Sequence, residues 1–308
     1  MKVNNVVLAA AVGYGWDAVK PFVCSLRRSG CQADIVLLLS SPDREMRAQL
    51  KAHDVASIVV QPVAQRLPRW LARKRFNKHW LGWAHRAASQ IAGRANSGGG
   101  LSLAARYSGL FLHVACSRYF AYYRFLSENA PAYSRVLVSD VRDVVFQRDP
   151  FEKVWPADLM FFFEHDTQFG RDPGNDLWLA TVFDAEERKS MQERRVSCSG
   201  VTAGTTPQML RYLEAMTREL AKRTHRVTGL DGVDQAVHNW LYWNDRFPAA
   251  KPMFNLGGPV LTMHGMPQND MIWRGDQLTN TSGDVIAVVH QYDRFPEAKQ
   301  RLLRQVLA

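Results

Sequence analysis

The residues Ser139-Asp140-Val141-Arg142-Asp143 stand directly after Arg135-Val136-Leu137-Val138, a short apolar run that reads as a buried strand. In an open α/β sheet, ligands sit beyond the carboxyl ends of the strands, near the point where strand order reverses. Two carboxylates placed there repel each other unless a cation or a strong hydrogen-bond donor neutralises them. Hard divalent ions such as Mg²⁺ or Mn²⁺ take a few carboxylate oxygens and keep positions open for phosphate. A diphosphate leaving group needs such an ion, because charge develops on it as its bond breaks. The same spacing equally serves an Asp/Arg turn that caps a strand and the loop after it. On spacing alone the two readings stand level.

The elements around this segment define an α/β fold class. Val6 to Ala10 is an apolar run, Trp16 to Arg28 carries helical spacing through Val19, Phe22, Val23 and Leu26, and Gly30 stops that helix. Ile35-Val36-Leu37-Leu38-Leu39 reads as a strand buried on both faces, and Ala56 to Gln61 as a third strand. Between them Pro42 to His53 reads as a helix, with Ser41 as cap and Pro42 in the first turn. A β-α-β-α-β start with apolar strands predicts a mixed, mostly parallel sheet with helices on both faces, Rossmann-like. Further on, helices are expected over about Ala104 to Glu128, from Thr206-Pro207, and over Asp231 to Trp243. Asp158 to Phe163 and Asp284 to His290 are expected strands. The simplest account is a single domain over residues 1–308 with a basic aromatic insertion at 63–100.

Here the sequence becomes recognisable. The run Arg135 to Phe151 resembles the acidic-motif region of GT-A nucleotide-diphospho-sugar transferases, particularly bacterial and plant members with a Ser-Asp-x-Arg-Asp-x-x-Phe-Gln stretch. Three further features resemble that group in order: Cys198 to Thr205, Gly232-Val233-Asp234-Gln235 before Asn239, and Val289-His290-Gln291-Tyr292. The likeness covers about residues 104 to 295, plus the first strands by topology. The family's usual metal motif is Asp-x-Asp, whereas here the carboxylates are Asp140 and Asp143, and Asp143 matches the second, metal-binding aspartate better.

The resemblance implies a GT-A glycosyltransferase that moves a hexosyl group from a nucleotide-diphosphate sugar to a glycan or glycolipid acceptor. It implies Mn²⁺ or Mg²⁺ held by Asp140, Asp143 and His290, a reasonable partner set for such an ion. Asp234 and Gln235 would reach the donor sugar's hydroxyls, although either Asp231 or Asp234 could simply cap their helix. Ser199, Gly200 and Gly204 would line the sugar pocket with backbone, where glycine allows close approach. Arg118 would bind phosphate or pin Asp140, and Ala10 to Tyr14 would cradle the base, with Tyr14 free to stack. The late histidine and the Asp-Gln pair are more like retaining members than inverting ones.

Composition narrows the setting. The chain has 308 residues, 46% hydrophobic and 22% charged, ample for a large core and unlike a disordered chain. No apolar run reaches the roughly 18–20 residues that span a bilayer. The first apolar run is also too short for a signal peptide, so a cytoplasmic protein is expected. Cys24, Cys31, Cys116 and Cys198 form no CxxC pair and read as reduced core thiols. The net charge of +10 is uneven, because no acidic residue lies between Asp54 and Glu128. That stretch includes Arg66 to Trp83, where cations alternate with tryptophans, which suits either an anionic membrane surface or an ordinary solvated helix. Membrane-borne acceptors of polysaccharide or lipopolysaccharide synthesis would place the enzyme on the inner face of the membrane. Two rivals are a sugar-phosphate nucleotidyltransferase and a nucleic-acid-binding protein. Against the first, Ala11-Val12-Gly13-Tyr14-Gly15-Trp16 lacks the basic residue of such a loop. Against the second stands the acidic strand end.

Overall fold

The computed structural model describes residues 3–60, 112–223 and 232–307. The basic aromatic insertion at 63–100, Asp231, and the start of the helix expected from Ala104 lie outside the described residues.

The chain opens with β1 (Asn4–Ala10), α1 (Trp16–Arg28), β2 (Asp34–Leu39), α2 (Arg44–Ala52) and β3 (Val55–Val59), as the apolar pattern predicts. The cap of α2 differs from expectation. Asp43, not Ser41, accepts the Met46 amide at 2.7 Å, and Pro42 stays outside the helix, its carbonyl accepting from Arg47 at 2.9 Å. A carboxylate at that place also complements the helix's positive end.

Next come α3 (Val114–Asn129), β4 (Tyr133–Ser139), β5 (Val144–Phe146), β6 (Leu159–Gln168), α4 (Pro173–Val182) and α5 (Ala185–Met191). They are followed by β7 (Arg195–Thr205), α6 (Thr206–Lys222), α7 (Val233–Trp243), β8 (Lys251–Met253) and β9 (Val260–Thr262). A short hairpin of β10 (Ile272–Arg274) and β11 (Gln277–Thr279), then β12 (Val288–His290) and α8 (Pro296–Leu307), complete the described chain. The last strand is shorter than expected. Only Val288–His290 pair on both sides, while Val285 makes an isolated bridge to Thr279.

Seven strands form one mixed sheet in the order β3-β2-β1-β4-β7-β6-β8, flanked by helices. β1 pairs in parallel with both β2 and β4, so strand order reverses between β1 and β4. β7 runs antiparallel to β4 and β6. It is buried over Val196–Gly204, on both faces, so no alternation betrays it as a strand. Side chains alternate along β1. Val6 and Leu8 join a core with α3, α6 and α7, while Val7 and Ala9 join another with α1.

A second sheet, β5-β12-β9, packs its own core against α8. It sets His290 opposite Val144, so the imidazole and Asp143 sit side by side across two strands. Among the described residues, no helix is long and apolar enough to cross a membrane. All four cysteines are free, and Cys31, Cys116 and Cys198 are buried.

Candidate metal centre and its cleft

The β1/β4 reversal opens a cleft of about 490 Å³. Its walls come from the end of β1 (Ala10, Tyr14), the segment after β4 (Asp140, Asp143), α3 (Arg118), β7 (Ser199, Gly200) and α7 (Asp234, Gln235). Nearly all the residues singled out in the sequence therefore converge. Gly204 does not line the cleft. It lies four residues farther along β7, where an added Cβ would come within 2.8 Å of the Asp158 carbonyl, so its small size serves strand packing.

Asp140, Asp143 and His290 meet at the floor, with one ligand atom from each lying within 4.8 Å of the others. His290 is 1% exposed. Its Nδ1 meets the Cys198 sulfur at 3.5 Å, while Nε2 makes no hydrogen bond. That nitrogen is 3.4 Å from Asp140 Oδ2 and 3.8 Å from Asp143 Oδ1. A buried polar atom without a partner, facing two carboxylates, is costly unless something sits between them. The backbone leaves room for it, because an added Cβ at Gly200 would lie 2.6 Å from Asp140 Oδ2 and 2.7 Å from His290 Nε2. Two carboxylates and an imidazole suit a borderline-hard divalent cation of the Mn²⁺ or Mg²⁺ kind. The triad could hold such an ion.

The electrostatics agree with that use. Burial would raise the Asp140 carboxyl, but the Arg118 guanidinium and then His290 outweigh it and hold it below the ordinary range. Burial raises Asp143, with Asp140 and Asp293 adding repulsion and His290 opposing. Burial would lower His290, yet Cys198, Asp143 and Asp140 pull it above its ordinary value. A proton on Nε2 and a divalent cation are thus alternatives for the same excess of negative charge.

Behind the triad lies a buried ionic relay. Arg118 donates to Asp140 Oδ1 in a short ion pair and to Asp234 Oδ2 at 2.9 Å. The same Asp234 oxygen accepts from Tyr119 at 3.3 Å and from Ser199 Oγ at 3.2 Å. Gln235 accepts the Ser199 amide at 3.3 Å and donates to Glu164 at 3.3 Å and Asn175 at 2.7 Å. Both Gln235 N–H bonds are thus committed inside the protein. These internal bonds follow from burial, since Asp234 is 2% and Gln235 8% exposed and buried polar groups take internal partners, while both residues still line the cleft.

Glu164, Asn175, Trp178 and Arg294 carry no signal in the linear sequence, because three separate elements bring them to the site. Glu164 is 1% exposed, its Oε2 has no hydrogen-bond partner, and burial pushes its carboxyl up to about 7. A raised folded value means its contribution to stability is full below the unfolded value near 4.5 and is lost as pH rises through 7. Glu164→Gln, an isostere of the protonated acid, should remove this slope. Urea midpoints of wild type and variant should agree near pH 4 and diverge in favour of the variant by pH 8. Parallel pH profiles would mean that Glu164 ionises freely.

Comparison with protein-family models and with curated proteins finds no match to this chain.

Proposed function

We propose that this protein is a metal-dependent glycosyltransferase of the GT-A kind, acting on a nucleotide-diphosphate sugar. The observation that carries the reading is the orphaned His290 Nε2 facing Asp140 and Asp143, in a cleft at the reversal of strand order. When bound, a divalent cation would offset the charge that grows on the departing diphosphate. In the reaction the acceptor's hydroxyl oxygen bonds to the sugar's C1. The C1–O bond to the diphosphate breaks with its electron pair leaving on the diphosphate, which also takes the hydroxyl proton.

The chain's residues divide the work. Asp140, Asp143 and His290 hold the cation. Arg118 is a positioning residue that fixes Asp140 from behind, and Asp234 in turn fixes Arg118. Tyr14, 41% exposed on the cleft wall, is free to stack on the nucleobase. Ser199 and Gly200 bring backbone close to the sugar. The reading requires nucleotide-diphosphate sugars to raise the melting temperature only when Mn²⁺ or Mg²⁺ is present, since a ligand selective for the folded state stabilises it by RT ln(1 + [L]/Kd). No shift across a panel of uridine, guanosine and thymidine diphosphate sugars, with either ion, would sink it.

A further inference from the structure

Strand order ranks the cleft's walls in space. Tyr14 follows β1, the carboxylates follow β4, Ser199 and Gly200 lie on β7, and α4 comes from the β6 side. The end of the cleft away from Tyr14 is therefore formed by α4 and the start of α7, with Trp178 on its wall.

Trp178 is a fixed, half-buried surface. Gly232, in the left-handed region at φ 79°, begins α7, and an added Cβ there would collide with the indole ring. Helix α4 is anchored at two points beside it. Asp172 caps its first turn by accepting the Asn175 amide at 2.8 Å, and the Asn175 side chain accepts from Gln235. An indole held in this way offers a flat apolar face at the cost of little further ordering.

A cation stands in the same cleft. Of the three arginines that line it among the described residues, Arg118 pairs with Asp140 and Asp234, and Arg142 pairs with Asp293 at 3.0 Å. Arg294 has no carboxylate partner within 4.0 Å among the described residues. It donates to His264 Nδ1, while His264 Nε2 lies 3.1 Å from Asp172. With Nε2–H directed at Asp172, Nδ1 is left as the acceptor, so Asp172 and His264 orient the guanidinium without a direct ion pair. Beside it Gln291 lines the cleft, and its Oε1 is buried with no partner. What Gln291 can offer a sugar hydroxyl from the cleft wall is therefore its amide N–H.

An aromatic face, a guanidinium with no direct carboxylate partner and a side-chain amide match a pyranose that carries a negative charge. We propose that Trp178, Arg294 and Gln291 form the acceptor subsite, and that the acceptor is an acidic saccharide bearing a carboxylate or a phosphate. This inference rests on the glycosyl-transfer reading for the word acceptor, but not for the binding itself.

The test uses the full chain labelled with 5-fluorotryptophan, with the Trp178 resonance assigned through Trp178→Phe. Methyl glucuronide, glucose 6-phosphate and methyl glucoside are titrated in the presence of Mn²⁺ and uridine diphosphate. The acidic sugars should shift the Trp178 signal with at least about tenfold higher affinity than the neutral one, in line with a hydrogen bond to a charged group. The first two probes separate a carboxylate from a phosphate requirement. Arg294→Gln should bring the acidic sugars down to the affinity of the neutral sugar. Equal affinities for all three sugars, or no shift with any, would overturn the proposal. So would a Trp178 shift produced by uridine diphosphate alone, which would make the indole a base platform. Failure of nucleotide-diphosphate sugars to bind would instead remove the transfer reading, and a Trp178 response to acidic sugars would survive it.

Discussion

Arg118→Met is expected to destabilise the fold by about 3–5 kcal/mol, the usual cost of leaving a buried charge without its partner. Arg118 is 8% exposed and Asp234 only 2%, and they meet at 2.9 Å, so the variant strands Asp234 away from water. Burial already pushes the Asp234 carboxyl up, and Arg118 is the leading influence opposing it. Asp140, about a third open to the cleft, contributes far less to this loss. Methionine keeps much of the side chain's volume, so the effect reads charge and hydrogen bonding and not a cavity. Arg118→Lys should recover only part of the stability, because one ammonium lacks the planar fork that reaches two carboxylates at once. Urea unfolding of the three proteins decides the matter. A loss under about 1 kcal/mol for the methionine variant would show that Asp234 finds another partner or is neutral in the native protein.

Asp143→Ala should act in the opposite way, removing cation binding and sparing the fold. The carboxylate is 9% exposed, burial holds its pKa up, and Asp140 repels it. Its loss removes that repulsion together with the attraction to His290, so apo stability should change little, and Gln291 keeps its hydrogen bond because that bond goes to the Asp143 carbonyl at 2.7 Å. Mutating even the outer partners of metal ligands weakens binding by roughly 10- to 100-fold, so loss of a ligand should reach about a hundredfold or more. Isothermal titration with Mn²⁺ measures the first effect, and thermal unfolding in chelator measures the second. Undiminished Mn²⁺ affinity in the variant would remove Asp143 from the ligand set. A large drop in apo stability would make it a structural cap, the other use its spacing allows.

The α/β class was legible in the sequence because β1, β2 and the helix between them follow simple patterns, a continuous apolar run and a 3.6-residue stripe. Helix α1 appears over the residues that the stripe marks. The acidic segment was legible too, since Asp140 and Asp143 follow a buried strand directly and chain connectivity alone puts them at its end. The cap of α2 was misplaced by two residues, because Ser41, Pro42 and Asp43 all suit a helix start and only geometry chooses among them.

What the sequence could not decide is pairing between distant segments. Nothing local says that β7 runs antiparallel between β4 and β6, yet that placement brings Gly200 against Asp140 and His290. Register across β5 and β12, set by packing of the small sheet, brings His290 beside Asp143 from 147 positions away. Burial is likewise a tertiary property. Asp234 and Gln235 stand at a helix start in the sequence, and the packing of α7 against β7 and α3 gives them partners that no local spacing shows, Arg118, Ser199 and Asn175. Trp178, Arg294 and Gln291 belong to no shared motif. They line one cleft because α4 and the turn after β12 both reach it, a consequence of long-range packing that no local spacing encodes.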